Sequence, residues 1–402
     1  MLKAPNKKMR VVICDIYVRL VGHNLGHIQN ILRYLEQHSS QIEYIFLLNP
    51  EAKFIPSVKT SAPNVQIIFF TDEEFVSFNS GLSIVKSTQL LWKHLIRYVV
   101  DYQADKLIMM MLDMFQHTIG SSRLPCETSG IMFNPYPRVI PADNTLRAKQ
   151  KSTITKARKM FTTWWMCRNS NLKKVFIFND SETIKTMNET LGTKAFTYLP
   201  DPVYDYPTRE GLDIREKHEI SSERKIFLSF GFIDEKKNVA NVLKAMQKLS
   251  AAEASKSCLL VVGKIHPEYQ TQLTEALEET KKYRPELQIA LESRFVDDDE
   301  MESYVNQSDV VSVAYINFYS SSGVIGLASR HSKPVIATKF GVVGDLTREY
   351  KLGLTVDGHN TTEIKEAIQY FLQNKNAYPE RASVFVQNHS SESFIKTLLE
   401  LS

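Results

Sequence analysis

The stretch 309–345, DVVSVAYINFYSSSGVIGLASRHSKPVIATKFGVVGD, constrains the fold more than any other part of the chain. Positions 309–315 form a Val-rich apolar run long enough for a buried strand. Tyr319, Ser320, Ser321, Ser322 and Gly323 then make a turn, and Val324, Ile325, Leu327 and Ala328 recur at helical spacing. Pro334 opens a second apolar run, 335–338, with Gly341 and Gly344 beyond it. Strand, Ser/Gly-rich turn, helix and strand in that order predict one parallel βαβ unit. Serines favour helix N-caps, and the free N–H groups and dipole of a helix start favour a phosphate. No acidic residue lies between Asp309 and Asp345 to repel one. An ordinary capped helix in an α/β sheet accounts for the same pattern, so the residues alone leave both readings open.

The run resembles the donor-binding segment of family 4 glycosyltransferases, which have the GT-B architecture. The resemblance rests on Pro334, Val335, Ile336, Ala337, Thr338 and the glycines after them. In that family an aromatic, a glutamate, seven residues and a second glutamate precede this motif. Here Tyr319 and Leu327 occupy the two glutamate positions. The resemblance implies that the first position meets the donor sugar and the second the nucleotide ribose.

A chain of 402 residues suggests two domains of roughly 200 residues, each able to bury a core. Hydrophobic content of 43% and charged content of 23% are ordinary for a soluble globular protein. A net charge of +4 is too mild to indicate nucleic acid as a partner. Cys14, Cys126, Cys167 and Cys258 are scattered without a C-x-x-C pair, so neither a zinc site nor a disulfide framework is indicated. Asp15, Arg19 and His23 interrupt the apolar run after the basic N-terminus, which argues against a signal peptide, and no stretch reaches membrane-spanning length. The expected location is the cytoplasm, with peripheral attachment to the inner face of the plasma membrane as a further option.

The first half reads as a βα series. A strand over 10–16 leads into Gly22, His23, Asn24, Leu25, Gly26 and His27, and a helix is expected from Ile28. Full G-x-G-x-x-G spacing is absent, so a dinucleotide fingerprint is not supported. The resemblance implies that this glycine-containing loop lines a cleft and holds the acceptor, through Gly22, His23, Asn24 and Gly26. His23 and His27 also suit cap or surface roles. Further strands are expected at 43–48, 65–70, 106–112 and 130–133, with a helix over 82–100. Asp113 stands at the carboxyl end of the 106–112 run, where open α/β sheets place ligands, and is the candidate acid of this half; a cap role fits it equally.

Between Asp143 and Asp180 there is no acidic residue, while Arg147, Lys149, Lys151, Lys156, Arg158, Lys159 and Arg168 all lie there. Ile154, Ala157, Phe161, Trp164 and Trp165 recur at helical spacing. A basic amphipathic helix with a Trp pair suits an anionic membrane surface. A domain helix with its aromatics packed on the sheet and a solvated basic face is the competing reading.

The Pro-rich connection 198–203 marks the expected domain boundary, giving domains 1–200 and 201–385 and a C-terminal helix, 386–402, that resembles one crossing back to the first domain. A second βα series starts at 225–230. Gly231, Phe232, Lys236 and Lys237 follow it, resembling the family's Gly-Arg turn whose Arg and Lys reach the donor pyrophosphate. Gly231 and Lys237 match, and Phe232 takes the arginine position. Gly263 resembles the family's strand–glycine turn, and Val296 the segment that holds the base through backbone contacts. The acidic run 297–300 is expected to be a helix N-terminus rather than a metal cluster.

These readings predict an α/β chain of GT-B architecture, two Rossmann-like domains with parallel sheets facing across a cleft. The function implied is transfer of a sugar from a nucleotide-sugar donor to a glycan or lipid-linked acceptor hydroxyl, retaining, without metal or cofactor, in polysaccharide or glycan biosynthesis. Asp113 and Lys237 are the catalytic candidates. Gly231, Lys237, Gly263, Val296, Tyr319, Ser320, Ser321, Ser322 and Gly323 are the donor candidates. The alternative is a GT-B binding or scaffold subunit without catalysis, since Phe232, Tyr319 and Leu327 replace three polar contacts.

Overall fold

The computed structural model describes residues 8–19, 23–79, 83–138, 145–374 and 379–401. The chain divides into two compact units, one of residues 1–199 with 394–402 and the other of residues 200–393.

In the N-terminal unit the strands are β1 Arg10–Asp15, β2 Glu43–Leu48, β3 Val65–Phe69, β4 Lys106–Met109, β5 Glu127–Ile131, β6 Leu172–Phe178 and β7 Phe196–Leu199. They pair in parallel in the order β3-β2-β1-β4-β5-β6-β7. Such a sheet has helices on both faces, so its strands are apolar on both sides. β1 shows this residue by residue: Val12 and Cys14 enter one core, and Val11 and Ile13 the other. The C-terminal helix Ser391–Leu399 joins the second of these cores through Phe394, Ile395, Leu398 and Leu399.

The C-terminal unit repeats the plan. Its strands are β8 Lys225–Phe230, β9 Ser257–Val262, β10 Gln288–Glu292, β11 Val310–Val313, β12 Val335–Thr338 and β13 Gly353–Val356. Their parallel order is β10-β9-β8-β11-β12-β13. Along β9, Cys258, Leu260 and Val262 face one core, and Leu259 and Val261 the other. In both sheets the order reverses between the first and fourth strands of the series. That switch point leaves a crevice at the strand carboxyl ends where ligands of such folds sit.

Several expectations shift. The first helix is His23–Gln37, so Asn24 and Gly26 lie inside it rather than in a loop. Within it the Asn24 amide donates to the Asp15 carboxylate at the end of β1. Gly22 lies outside the described residues. The expected strand at 130–133 is β5, Glu127–Ile131, which begins earlier because its polar Thr128 and Ser129 are buried and escape an apolar pattern. Residues 209–224, a charged segment, bury Ile214 and Ile220 completely or nearly so, at 0% and 5% exposure.

Candidate functional site

The switch point of the C-terminal unit brings three of the donor candidates together, Gly231, Gly263 and Lys237. β8 ends in Gly231 at φ 106° and β9 in Gly263 at φ 137°, left-handed conformations that side chains resist. A Cβ on Gly263 would lie 1.7 Å from the carbonyl oxygen of Gly231, so the two turns touch backbone to backbone. Asn238 locks the loop after β8 from behind. It is buried, and its amide donates to the carbonyls of Ala314 and Gly358 at 2.7 Å each.

Lys237 closes this turn. Its Nζ donates to the hydroxyl of Tyr315 at 2.8 Å and lies 4.5 Å from the centre of that ring. A Cβ on Gly231 would come within 3.4 Å of the same Nζ, so the ammonium sits directly over the glycine backbone. A cation is thus held at the gap between the first and fourth strands. Phe232, at the expected arginine position, is 51% exposed and meets His266 edge-on at 5.5 Å.

The turn Ser320, Ser321, Ser322, Gly323 opens the helix Gly323–Arg330 as expected, but one part of its electrostatics differs. Ser321 Oγ donates to Asp201 Oδ2 at 2.7 Å, so a carboxylate does stand beside the turn. Asp201 is 120 positions away in sequence, outside any local reading. Ser322 occupies the N-cap without a side-chain hydrogen bond to the helix. Leu327, at the second glutamate position, is 8% exposed and packs in the core. Tyr319, at the first, is half-buried; burial and then Asp357 push its hydroxyl pKa up. With Tyr315, Phe318, Phe340, Asp357 and His359 it lines a small pocket at the ends of β11, β12 and β13.

Val296 packs partly on the core beyond β10. The acids after it are engaged by cations: Arg209 bonds Asp297, Asp299 and Glu300, and Arg294 bonds Glu300. These pairings make Asp297, Asp299 and Glu300 structural partners of arginine.

The N-terminal unit gathers polar groups at its own switch point. Asp15 is buried at the end of β1, accepting from the Tyr17 N–H at 2.7 Å and from the Asn24 amide at 3.0 and 3.1 Å. Burial raises its pKa to about 6, against the opposing pull of those two donors. Asp113 accepts the backbone N–H groups of Phe133 and Asn134, both at 2.8 Å, and so fastens the end of β4 to the end of β5. Burial raises its pKa as well, while these N–H groups and Lys159 lower it. Lys159 donates to the Asn134 carbonyl at 3.1 Å, and burial lowers its pKa against the pull of Asp113. Tyr17 feels both acids, and burial with their charges pushes its pKa up to about 12.

Asp15, Tyr17 and Lys159 are not among the site candidates read from sequence. A lone acid ending an apolar strand was the available signal for Asp15. Of the acceptor candidates, Asn24 is committed to Asp15, and Gly26 accepts through its carbonyl from Asn30 inside the helix at 2.8 Å. His27 is a core residue, 2% exposed and stacked on Phe394 at 5.1 Å. For His23 only the backbone is described.

Residues 212–392 match the family model described as "Glycosyl transferases group 1". The matched segment lies in the C-terminal unit, and the two parallel-sheet units have the fold of the GT-B architecture. Among solved structures, sucrose-phosphate synthase from Thermosynechococcus elongatus is similar at TM-score 0.69 and 14% identity, covering 98% of this chain and 98% of that one. The α,α-trehalose-phosphate synthase (UDP-forming) from Burkholderia vietnamiensis is similar at TM-score 0.66 and 11% identity, covering 98% of this chain and 99% of that one. Anabaena HepE in complex with UDP-glucose gives TM-score 0.67 and 12% identity, covering 98% of each chain. No curated protein matches the chain. Among the described residues no helix is long and apolar enough to cross a membrane.

Proposed function

We propose that this chain moves a sugar from a nucleotide diphosphate donor to an acceptor hydroxyl, with the diphosphate held by the C-terminal unit. The observation that carries the reading is the switch-point turn itself. The Gly231 carbonyl fills the place of a Cβ on Gly263, and Lys237 is fastened over Gly231 by Tyr315. A diphosphate needs backbone N–H groups and a cation in a partly dry crevice. This turn offers the cation, Lys237, while the N–H groups of Gly231 and Gly263 are bonded to the carbonyls of Val262 and Glu292. The start of the helix Gly323–Arg330 adds N–H groups without a side-chain cap. UDP and UDP-glucose in the crystal structures of the similar HepE support a uridine nucleotide as the first donor to test.

In this reading Lys237 and the helix start stabilise the departing diphosphate, the main protein contribution to such a transfer. Neutralisation falls to these groups, and Asp297, Asp299 and Glu300 of the acidic run are paired with Arg209 and Arg294. Anomeric configuration is retained, with the leaving phosphate taking the acceptor proton. The N-terminal unit holds a glycan or lipid-linked acceptor, with Asp15 and Asp113 as its acids. A polysaccharide or glycan pathway supplies that acceptor.

Calorimetry with UDP, GDP and their sugar conjugates tests the donor site, followed by hydrolysis or transfer assays with and without a chelator. Binding of a nucleoside diphosphate with turnover of its sugar conjugate is the expected result. A folded protein that binds no nucleotide would leave a GT-B scaffold as the surviving reading.

A further inference from the structure

The helix Leu146–Cys167 carries features the transfer reaction does not use. One face is seated on the short helix Gln116–Ser121. Thr162 and Thr163 hydroxyls donate to Gln116 Oε1 at 3.0 Å each, and Trp165 Nε1 donates to Ser121 Oγ at 3.2 Å. Gly120 makes room for the indole: a Cβ there would fall 2.0 Å from Trp165 Cδ1. Met166 is fully buried on the same side.

The opposite face is apolar and uncovered. Leu146 is 80% exposed, Ile154 69%, Phe161 58% and Trp164 37%. At about 100° per residue these four fall within one sector of roughly 80°, on the side away from Met166. Cations border this stripe on both flanks, Arg147, Lys151 and Arg158 on one and Lys149 and Lys156 on the other. The helix contains no Asp or Glu.

We infer that this face docks on an anionic lipid bilayer. An apolar stripe with aromatic members, bordered by cations and free of acids, fits a helix lying in the interface with its stripe among the acyl chains and its cations at the headgroups. Charge decides against a second copy of the chain as the occupant. A two-fold contact would set two acid-free cationic helices against each other. A bilayer carrying acidic headgroups neutralises every one of these cations.

The test is co-sedimentation of the full chain with vesicles of phosphatidylcholine, with and without phosphatidylglycerol, at low and high salt. Binding should require phosphatidylglycerol and fall as salt rises. Phe161→Glu with Trp164→Glu should lower partitioning by about tenfold or more, because the stripe can no longer enter the acyl region. Arg147→Gln, Lys151→Gln and Arg158→Gln should each lower it by about fivefold. These positions are exposed, so melting temperature and nucleotide affinity should stay at wild type, which separates this inference from the donor site. No binding at low salt, equal binding to neutral vesicles, or full binding by the Phe161/Trp164 variant would overturn it. So would a dimer in solution that this variant dissolves.

Discussion

Ser321 donates its hydroxyl to the carboxylate of Asp201 at 2.7 Å, at the start of the helix proposed to face the donor diphosphate. The negative charge is thereby set beside the site proposed for anions, and the hydrogen bond orients it. Asp201→Asn keeps an acceptor for Ser321 and removes the charge. UDP affinity should rise by roughly two- to fivefold, the size of a partly screened repulsion over several ångströms. Unchanged affinity by calorimetry would mean that the turn does not face the diphosphate.

Lys237→Ala should weaken UDP binding by about 10- to 100-fold, because a charge-assisted bond contributes roughly 1.5–3 kcal/mol. Uridine binding should be unaffected. Tyr315→Phe removes only the 2.8 Å contact that steadies the ammonium, so its loss of UDP affinity should be smaller. Equal losses for UDP and uridine would assign Lys237 a structural role.

Gly263→Ala and Gly192→Ala form a matched pair, since both glycines have positive φ. The environment of Gly192 is open, with nothing within 4 Å of a Cβ, so alanine there should cost only about 1 kcal/mol of backbone strain. At Gly263 the methyl would strike the Gly231 carbonyl, forcing the β8 and β9 turns apart. Urea unfolding should show a clearly larger loss for Gly263→Ala, accompanied by loss of UDP binding. Similar curves for the two variants would contradict the close approach.

Asp15 makes stability depend on pH. Burial raises its pKa to about 6, above the unfolded value near 4, so the folded state holds this proton more tightly. Its favourable contribution is complete below about pH 4 and is lost as pH rises through about 6. Asp15→Asn should therefore stabilise the protein at pH 8, by on the order of 1 kcal/mol, and leave it unchanged at pH 4. Urea titrations at the two values check the sign. A gain that is the same at both would rule out the carboxylate as its source.

The alternation of strand and helix was readable because parallel strands buried on both faces must be apolar along their length. Runs such as 11–14 and 258–262 declare themselves for that reason. The turn after β8 was readable too, since its requirements are local: glycine where the backbone is left-handed, and lysine a fixed distance on. Boundaries slipped where polar residues are buried, as at Thr128 and Ser129.

The alternation of elements and the placing of Gly231 and Gly263 just past strand ends were thus determined by sequence alone. Tertiary structure decided which groups meet there. Ser321 with Asp201, Lys237 with Tyr315, and Asp113 with the N–H groups of Phe133 and Asn134 are contacts between distant positions, which no local period encodes. It also chose the exposed face of the helix Leu146–Cys167. That helix has apolar residues on more than one side; the gap at Gly120 seats the half-buried Trp165, while Phe161 and Trp164 stay in solvent.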